Sequence, residues 1–308
     1  MNNKTKPSMA ALLAATLLAP SGATAASLIY QWNFNSAATG TSVTPATGAG
    51  GVLGLKNNID AATDLYSASG TGPSGGLIPN DRAFDSSSAS AMGNAGTGPV
   101  AASASGNVDI SSISTAGAFS FTGWFNPSVP LAGNNGFARL FHLSENTGYA
   151  GGRSPGGIGI LLIDVPATVN STIEFSINNF SLNFPDPGFN TAANTWTFYT
   201  VTFDDASNTA QLYWGSPSTA VQAVPFSGAL VTTLPTATEL DAVLVNIANR
   251  DTDNSRPFRG LSDDIRIYSG VLTGVEANAI RLSAVPEASS SLLLLLSLTA
   301  WTKRRVRH

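Results

Sequence analysis

The amino-acid sequence predicts an antiparallel β-sandwich with one short helix near its C-terminal end. Short runs alternate apolar with polar residues, Phe119-Ser120-Phe121-Thr122-Gly123-Trp124-Phe125 being the clearest. Clusters rich in Asn, Asp, Gly and Pro punctuate the runs, and helical periodicity is almost confined to the stretch after Thr273. Strands separated by loops, without alternating helices, build a sandwich rather than a parallel α/β sheet. Sandwiches run as one unit well past the ~150 residues typical of a domain, so residues 26–284 are expected to form a single one.

Residues 27–34, Ser-Leu-Ile-Tyr-Gln-Trp-Asn-Phe, are β-branched and aromatic and read as the opening strand. Gly, Ala, Ser, Thr and Pro dominate residues 36–54 and 67–106, a composition that buries little and suits long surface loops, with Arg82-Ala83-Phe84-Asp85 as a short strand among them. Asn126-Pro127 ends the strand that starts at Phe119. Further strand-like segments lie at 138–143, 159–163, 173–177, 196–203, 211–214 and 242–248. Within them Ile173, Phe175 and Ile177 share one face, opposite Glu174, Ser176 and Asn178, which predicts a solvent-side Glu174. Asp205-Ala206-Ser207-Asn208 supplies turn chemistry for a hairpin. The last strand, in residues 258–268, is expected to put Leu261, Ile265 and Ile267 on one face and Asp264 and Arg266 on the other. Thr273 and Glu276 then have capping-box spacing, with Val275, Ala279 and Leu282 on one helical stripe.

Both termini carry export signals. Lys4 and Lys6 precede an apolar segment and Ala23-Thr24-Ala25 offers small residues for cleavage, the pattern of a signal peptide over residues 1–25. At the other end, Val285-Pro286-Glu287-Ala288 leads into an uncharged leucine-rich run and then Lys303, Arg304, Arg305 and Arg307. The run of about 14 residues spans about 21 Å as a helix against about 30 Å of hydrocarbon, too short for a lasting anchor. Residues 285–308 resemble the bacterial PEP-CTERM sorting signal, with Pro286 and Glu287 in the motif, Ala288 replacing its second proline, and Arg304 and Arg305 in the basic cluster. That resemblance implies an exosortase-type processing enzyme as a partner and transient association with the inner membrane.

Composition removes several classes of function. The chain has no cysteine, so neither disulfides nor thiol chemistry contribute. It carries 15 basic and 19 acidic residues. Setting aside Lys4, Lys6, Lys303, Arg304, Arg305, Arg307 and Glu287 leaves 9 against 18 in the body, an acidic balance unsuited to nucleic acid.

Four stretches together carry a family resemblance: Tyr30-Gln31-Trp32-Asn33-Phe34, the strand ending Trp124-Phe125-Asn126-Pro127, Trp196-Thr197-Phe198-Tyr199-Thr200-Val201-Thr202-Phe203-Asp204, and residues 258–276. In this order they resemble the LamG-like, concanavalin A-like jelly-roll superfamily. The resemblance implies a two-sheet antiparallel jelly roll used mostly to bind glycans or proteins, and in some relatives to cleave polysaccharides. Tyr213-Trp214-Gly215-Ser216, where relatives commonly show an Asp-Gly turn, is a departure.

Catalytic patterns are scarce. His142 is the body's one histidine and no G-x-S-x-G elbow accompanies it. The body's glutamates are Glu145, Glu174, Glu239 and Glu276, without an E-x-D-x-E arrangement, and Glu276 already serves as a cap. For calcium, which takes oxygen ligands from loops, the candidates are Asn249, Asp251, Asp253 and Asp263; an Asx-rich turn accounts equally for the first three, and a buried carboxylate serving backbone groups for Asp263. For a sugar, aromatic faces near loop tips are the candidates: Phe184 and Phe189, flanking a loop stiffened by Pro185 and Pro187, with Tyr149 and Trp214.

The sequence therefore points to an exported, non-catalytic bacterial protein of the cell surface or extracellular matrix, binding glycan or matrix through a lectin-like sandwich. A purely structural or adhesive matrix protein is the alternative, and a polysaccharide-cleaving enzyme on the same fold is a third. If the tail is a sorting signal, intact-mass measurement of secreted material is expected to show a chain lacking the residues after 285; a mass that still includes Arg307 counts against it.

Overall fold

The computed structural model describes residues 25–35, 42–56, 71–78, 80–87, 103–128, 137–145, 157–164, 171–177, 180–184, 194–224, 234, 236–237, 240, 243–248 and 258–285. Among these, β1 (Ser27–Trp32), β2 (Ser42–Val43), β3 (Leu53–Lys56) and β4 (Phe84–Asp85) come first. β5 (Ser103–Val108) leads through α1 (Ser112–Ala116) into β6 (Ala118–Pro127). β7 (Phe137–Glu145), β8 (Ile158–Asp164), β9 (Ser171–Ile177) and β10 (Phe180–Phe184) follow, then the hairpin of β11 (Thr197–Asp204) and β12 (Thr209–Gly215). β13 (Gln222–Ala223), β14 (Val243–Ile247), β15 (Gly260–Ser269) and α2 (Gly274–Ala284) complete the order.

The strands form two antiparallel sheets. The first runs β1-β15-β6-β11-β12-β13, with β4 also on β15; the second runs β10-β9-β8-β7-β14-β5-β3-β2. Strands far apart in sequence are thus neighbours, as in a jelly roll. The alternation read from the sequence now has its cause. Phe119, Phe121 and Phe125 of β6 and Tyr199, Val201 and Phe203 of β11 face the second sheet, where Phe141, Ile160, Phe175 and Val245 meet them in one core. Phe119 meets Phe175 at 5.9 Å between ring centroids and Phe121 meets Phe141 at 4.9 Å, so aromatic pairs join the sheets.

Strand β6 is buried along its whole length, which requires cover on its outer face as well. There Trp124 and Phe198 pack with Ala277 and Val285 of the C-terminal segment, flanked by Trp196, Ile280 and Ala284. Helix α2 therefore lies across the outer side of the first sheet. Its start has the predicted capping box: Thr273 Oγ1 accepts from the Glu276 amide at 3.3 Å, and Glu276 Oε2 accepts from the Thr273 amide at 2.7 Å. The stripe that docks is not Val275, Ala279 and Leu282, however. Val275 is 82% exposed, and the buried residues are Ala277 and Arg281. A capped helix can dock through small residues and an arginine stem, which a search for large apolar residues overlooks.

Two other expectations change. The Gly- and Ser-rich tracts contain β2, β3 and β5 of the second sheet rather than loops alone, and β10 occupies residues expected to begin a loop. Small residues are needed in β5 because the chain passes closely: a Cβ on Gly106 would stand 2.2 Å from the Val52 carbonyl oxygen. In β15, the register against β6 shifts between Asp263 and Arg266, and Asp264 adopts φ 47°. This bulge reverses the parity of the first half of the strand. Ile265 and Ile267 do face the core, but Leu261 pairs with Asn126 and Asp263 with Trp124, on the outer face.

On that outer face Thr122 and Thr200 stand opposite each other, both fully buried, and neither Oγ1 has a hydrogen-bond partner. An unmet buried hydroxyl costs free energy that a methyl does not. Thr200→Val is expected to raise the stability measured by urea unfolding by about 1 kcal/mol; a lowered midpoint would refute this account of the pair.

Candidate functional site

The hairpin that the sequence predicts brings two tryptophans to one end of the first sheet. Its turn closes at Asp205–Asn208, with Asn208 at φ 50°, and the register pairs Phe198 with Gly215 and Tyr199 with Trp214. Trp214 follows Leu212 toward the inner side and packs against the main core. Trp196, two residues before Phe198, belongs to the outer cluster beneath α2. Both indoles are partly buried. That of Trp196 is fixed by Nε1, which donates to the Thr71 carbonyl at 3.1 Å.

Beyond Gly215 the chain reverses: Ser216 N donates to Thr219 O at 3.1 Å, and Ser216 Oγ accepts from the Thr219 amide at 3.0 Å. The reversal and the two tryptophans enclose a cleft of about 530 Å³, completed by residues 194, 195 and 197. Among the described residues that line it, the polar ones are Asn194, Thr195, Thr197, Ser216, Ser218 and Thr219, and none carries a charged side chain. Two aromatic surfaces with scattered neutral donors and acceptors can stack a flat, weakly polar ring and bond its hydroxyls.

A second polar concentration surrounds the bulge. Asp264 accepts from Gln31 Nε2 at 2.8 Å and is held by Arg266 in a two-point pair, Nε to Oδ1 at 2.8 Å and Nη2 to Oδ2 at 2.7 Å. Arg266 Nη2 also donates to Ser283 Oγ of α2 at 2.8 Å. Asp263 Oδ1 accepts from the Asp264 amide at 2.7 Å, and Asp81 accepts from the Ser74 amide at 2.9 Å and from the Ser74 hydroxyl. These groups line a cavity of about 110 Å³. Burial pushes the Asp263 carboxyl well above the usual range, and the charges of Asp264 and Asp81 add to the shift. Asp81 is raised too, chiefly by burial, although its bonds to Ser74 oppose this. Among the described residues, no set of three or more His, Cys, Asp or Glu side chains is arranged to hold a metal ion.

Of the expected ligand-binding aromatics, Trp214 stands in the cleft. Phe184 does not: at the end of β10 it pairs with Ile173 of β9, is fully buried and belongs to the inter-sheet core, because β10 extends the second sheet where a loop was expected. Phe189, Tyr149, Asn249, Asp251, Asp253, Pro286, Glu287, Arg304 and Arg305 lie outside the described residues. Glu174 is on the outer face as its parity requires, yet it is buried rather than solvated, and Arg139, also buried, lies in the same cross-strand row through Leu161. The residue that sequence reasoning missed is Trp196. Its signal was present, an aromatic just ahead of a strand that already contains Phe198.

The model of a family described as the concanavalin A-like lectin/glucanases superfamily, Laminin_G_3, matches residues 101–278, from β5 into the first half of α2. The chain belongs to this family. No curated protein matches it in sequence. Among solved structures it is similar to domain 4 of AbnA, an extracellular arabinanase from Geobacillus stearothermophilus, in complex with arabinotriose; identity is 15%, the TM-score 0.50, and 83% of this chain and 98% of that one are covered. It is also similar to the binding domain of botulinum neurotoxin serotype D, with 14% identity, a TM-score of 0.49 and coverage of 83% and 51%. A heptameric SAP-like pentraxin from Limulus polyphemus shares 9% identity at a TM-score of 0.39, over 54% and 70%. At such identities these likenesses bear on the fold alone.

The bulge generates a pH dependence. The native Asp263 carboxyl holds its proton to a higher pH than the unfolded chain, where the ordinary value is near 3.8. The native state therefore binds the extra proton, and stability falls as pH rises from about 4 through the native value. Asp263→Asn keeps an oxygen to accept from the Asp264 amide and cannot ionise. Its melting temperature is expected to exceed that of the wild type at neutral pH, with the gap closing toward about pH 4; a constant gap across that range contradicts the assignment.

Proposed function

We propose that the protein is a non-catalytic, exported binding protein that engages a glycan, free or borne by a surface or matrix component, in the cleft between Trp196 and Trp214. The observation that carries this reading is that two partly buried indoles share a cleft with hydroxyl and amide groups, and with no charged side chain among its described residues. Membership of a superfamily of lectins and glucanases makes a saccharide the natural occupant. Hydrolysis of a glycosidic bond calls for two carboxylates flanking it, and none stands among the described residues of the cleft. The terminal segments carry the rest of the reading: export by a signal peptide, brief retention at the inner membrane, processing by an exosortase-type enzyme, and release to the cell surface or matrix.

Arabinotriose, the sugar held by the similar domain 4, is a suitable first probe alongside a glycan array. Trp214→Ala and Trp196→Ala are each expected to weaken binding roughly tenfold, the scale of losing one stacked aromatic surface. Unchanged binding in both variants overturns the cleft as the site. Matrix association without binding to any arrayed glycan would favour the structural or adhesive role, and reducing-sugar release lost on changing a single carboxylate would make the protein an enzyme.

A further inference from the structure

The polar wall of the cleft is backed by a cation. Arg281 lies on the docked stripe of α2 and is only 3% exposed. Its Nη1 donates to the Ser216 carbonyl at 2.9 Å and the Pro217 carbonyl at 3.1 Å, and its Nε donates to Asn278 Oδ1 at 3.0 Å. The same Asn278 oxygen accepts from the Val221 amide at 3.0 Å. Helix α2 therefore grips the reversal on both sides, at Ser216 and Pro217 before it and at Val221 after it. Gly215 makes room for this, since a Cβ there would stand 3.1 Å from Arg281 Cδ. Burying a guanidinium on a helix stripe is costly unless its donors are used, and hydrogen bonds from a charged donor are the stronger kind.

Resting on the glycan reading of the cleft, we propose that it takes an uncharged saccharide and that Arg281 is the positioning residue that sets its Ser216–Thr219 wall. The two halves share one cause. The guanidinium faces backbone carbonyls behind the wall and is not among the groups lining the cleft, so the cleft gains a fixed shape without gaining a positive charge. A sugar acid entering it would lose hydration at its carboxylate and meet no cation among the described lining residues in return. A neutral sugar loses nothing of that kind and needs only stacking and hydroxyl contacts.

Calorimetric or tryptophan-fluorescence titration with arabinotriose and laminaritriose, and with trigalacturonate as the charged counterpart, tests this on the full chain. The wild type is expected to bind a neutral trisaccharide with the same affinity in about 50 and about 500 mM NaCl, and to bind trigalacturonate at least about tenfold more weakly. Arg281→Met is expected to weaken neutral binding about tenfold, and Arg281→Lys, which keeps a donor for the carbonyls, to restore part of it, although neither side chain touches the sugar. If Arg281→Met does not fold, Asn278→Ala takes its place with the same expected loss. A wild type that binds none of these sugars overturns the glycan reading and the inference with it. Tighter binding of trigalacturonate overturns the ligand class alone. Neutral binding unchanged in the folded variant overturns the role of Arg281 alone.

Discussion

Trp124 and Phe198 meet at 5.1 Å between ring centroids on the outer face of the first sheet, away from the core that joins the two sheets. Left to solvent, each would forfeit about 1.5–3 kcal/mol of burial, so that face must be covered. Helix α2 covers it with Ala277 and Val285, small enough to let the helix lie close over the rings. Four residues on from Ala277, one turn along the same face, the stripe reaches Arg281 above the end of β12. An alanine there would cover less of the sheet, and a leucine would leave the carbonyls of Ser216 and Pro217 without this donor. The arginine stem covers apolar surface while its head bonds the turn. Closing the outer face and shaping the cleft are in this sense one arrangement.

The same helix meets the bulge region of β15 in its last turn, two residues on from Arg281. Arg266, held by Asp264, reaches Ser283, and Asp263 is turned by the bulge to the outer side, opposite Trp124. A carboxylate so buried, beside a second one already engaged by arginine, keeps its proton to a higher pH than a solvated one. With no disulfide in the chain, strand pairing joins the ends of the sandwich, β1 lying along β15 from Ser27 opposite Ser269 to Trp32 opposite Ile265. The bulge distorts β15 within this seam, and Gln31 of β1 bonds Asp264 across it.

What the sequence made legible follows from how local the cause was. Strict alternation identified β6, β9 and β11, because each buries large apolar side chains on one face. The Asp205–Asn208 turn and the Thr273–Glu276 capping box were legible because their hydrogen bonds close within a few residues. The strands β2, β3 and β5 were not, since they are held by backbone ladders and close approach, as at Gly106, rather than by a side-chain pattern. The bulge at Asp264 was equally hidden: one inserted residue changes the parity of Leu261 without altering the composition around it. Phe184 and Trp196 show the same limit at the site. Parity tells which side of a strand an aromatic takes, but only the partner strand or helix decides whether that side is wet.

The absence of charge among the cleft's described residues gains meaning from the rest of the molecule. Residues 26–284 hold 18 acidic against 9 basic residues, so the surface as a whole disfavours polyanions at ranges up to about one Debye length, ~8–10 Å in physiological salt. A ligand-binding cation in the cleft would work against that field and draw acidic polymers to one spot. Here the Arg281 guanidinium is turned to the carbonyls behind the wall. Elsewhere on the first sheet Phe119, Phe121 and Phe125 are sealed on the inner side by the second sheet, and Trp124 and Phe198 on the outer side by the C-terminal segment. At the sheet end neither cover is complete, and Trp214 from one face and Trp196 from the other remain partly open. Recognition by ring surfaces and hydroxyls is what such an end can offer, and it is insensitive to the negative field around it.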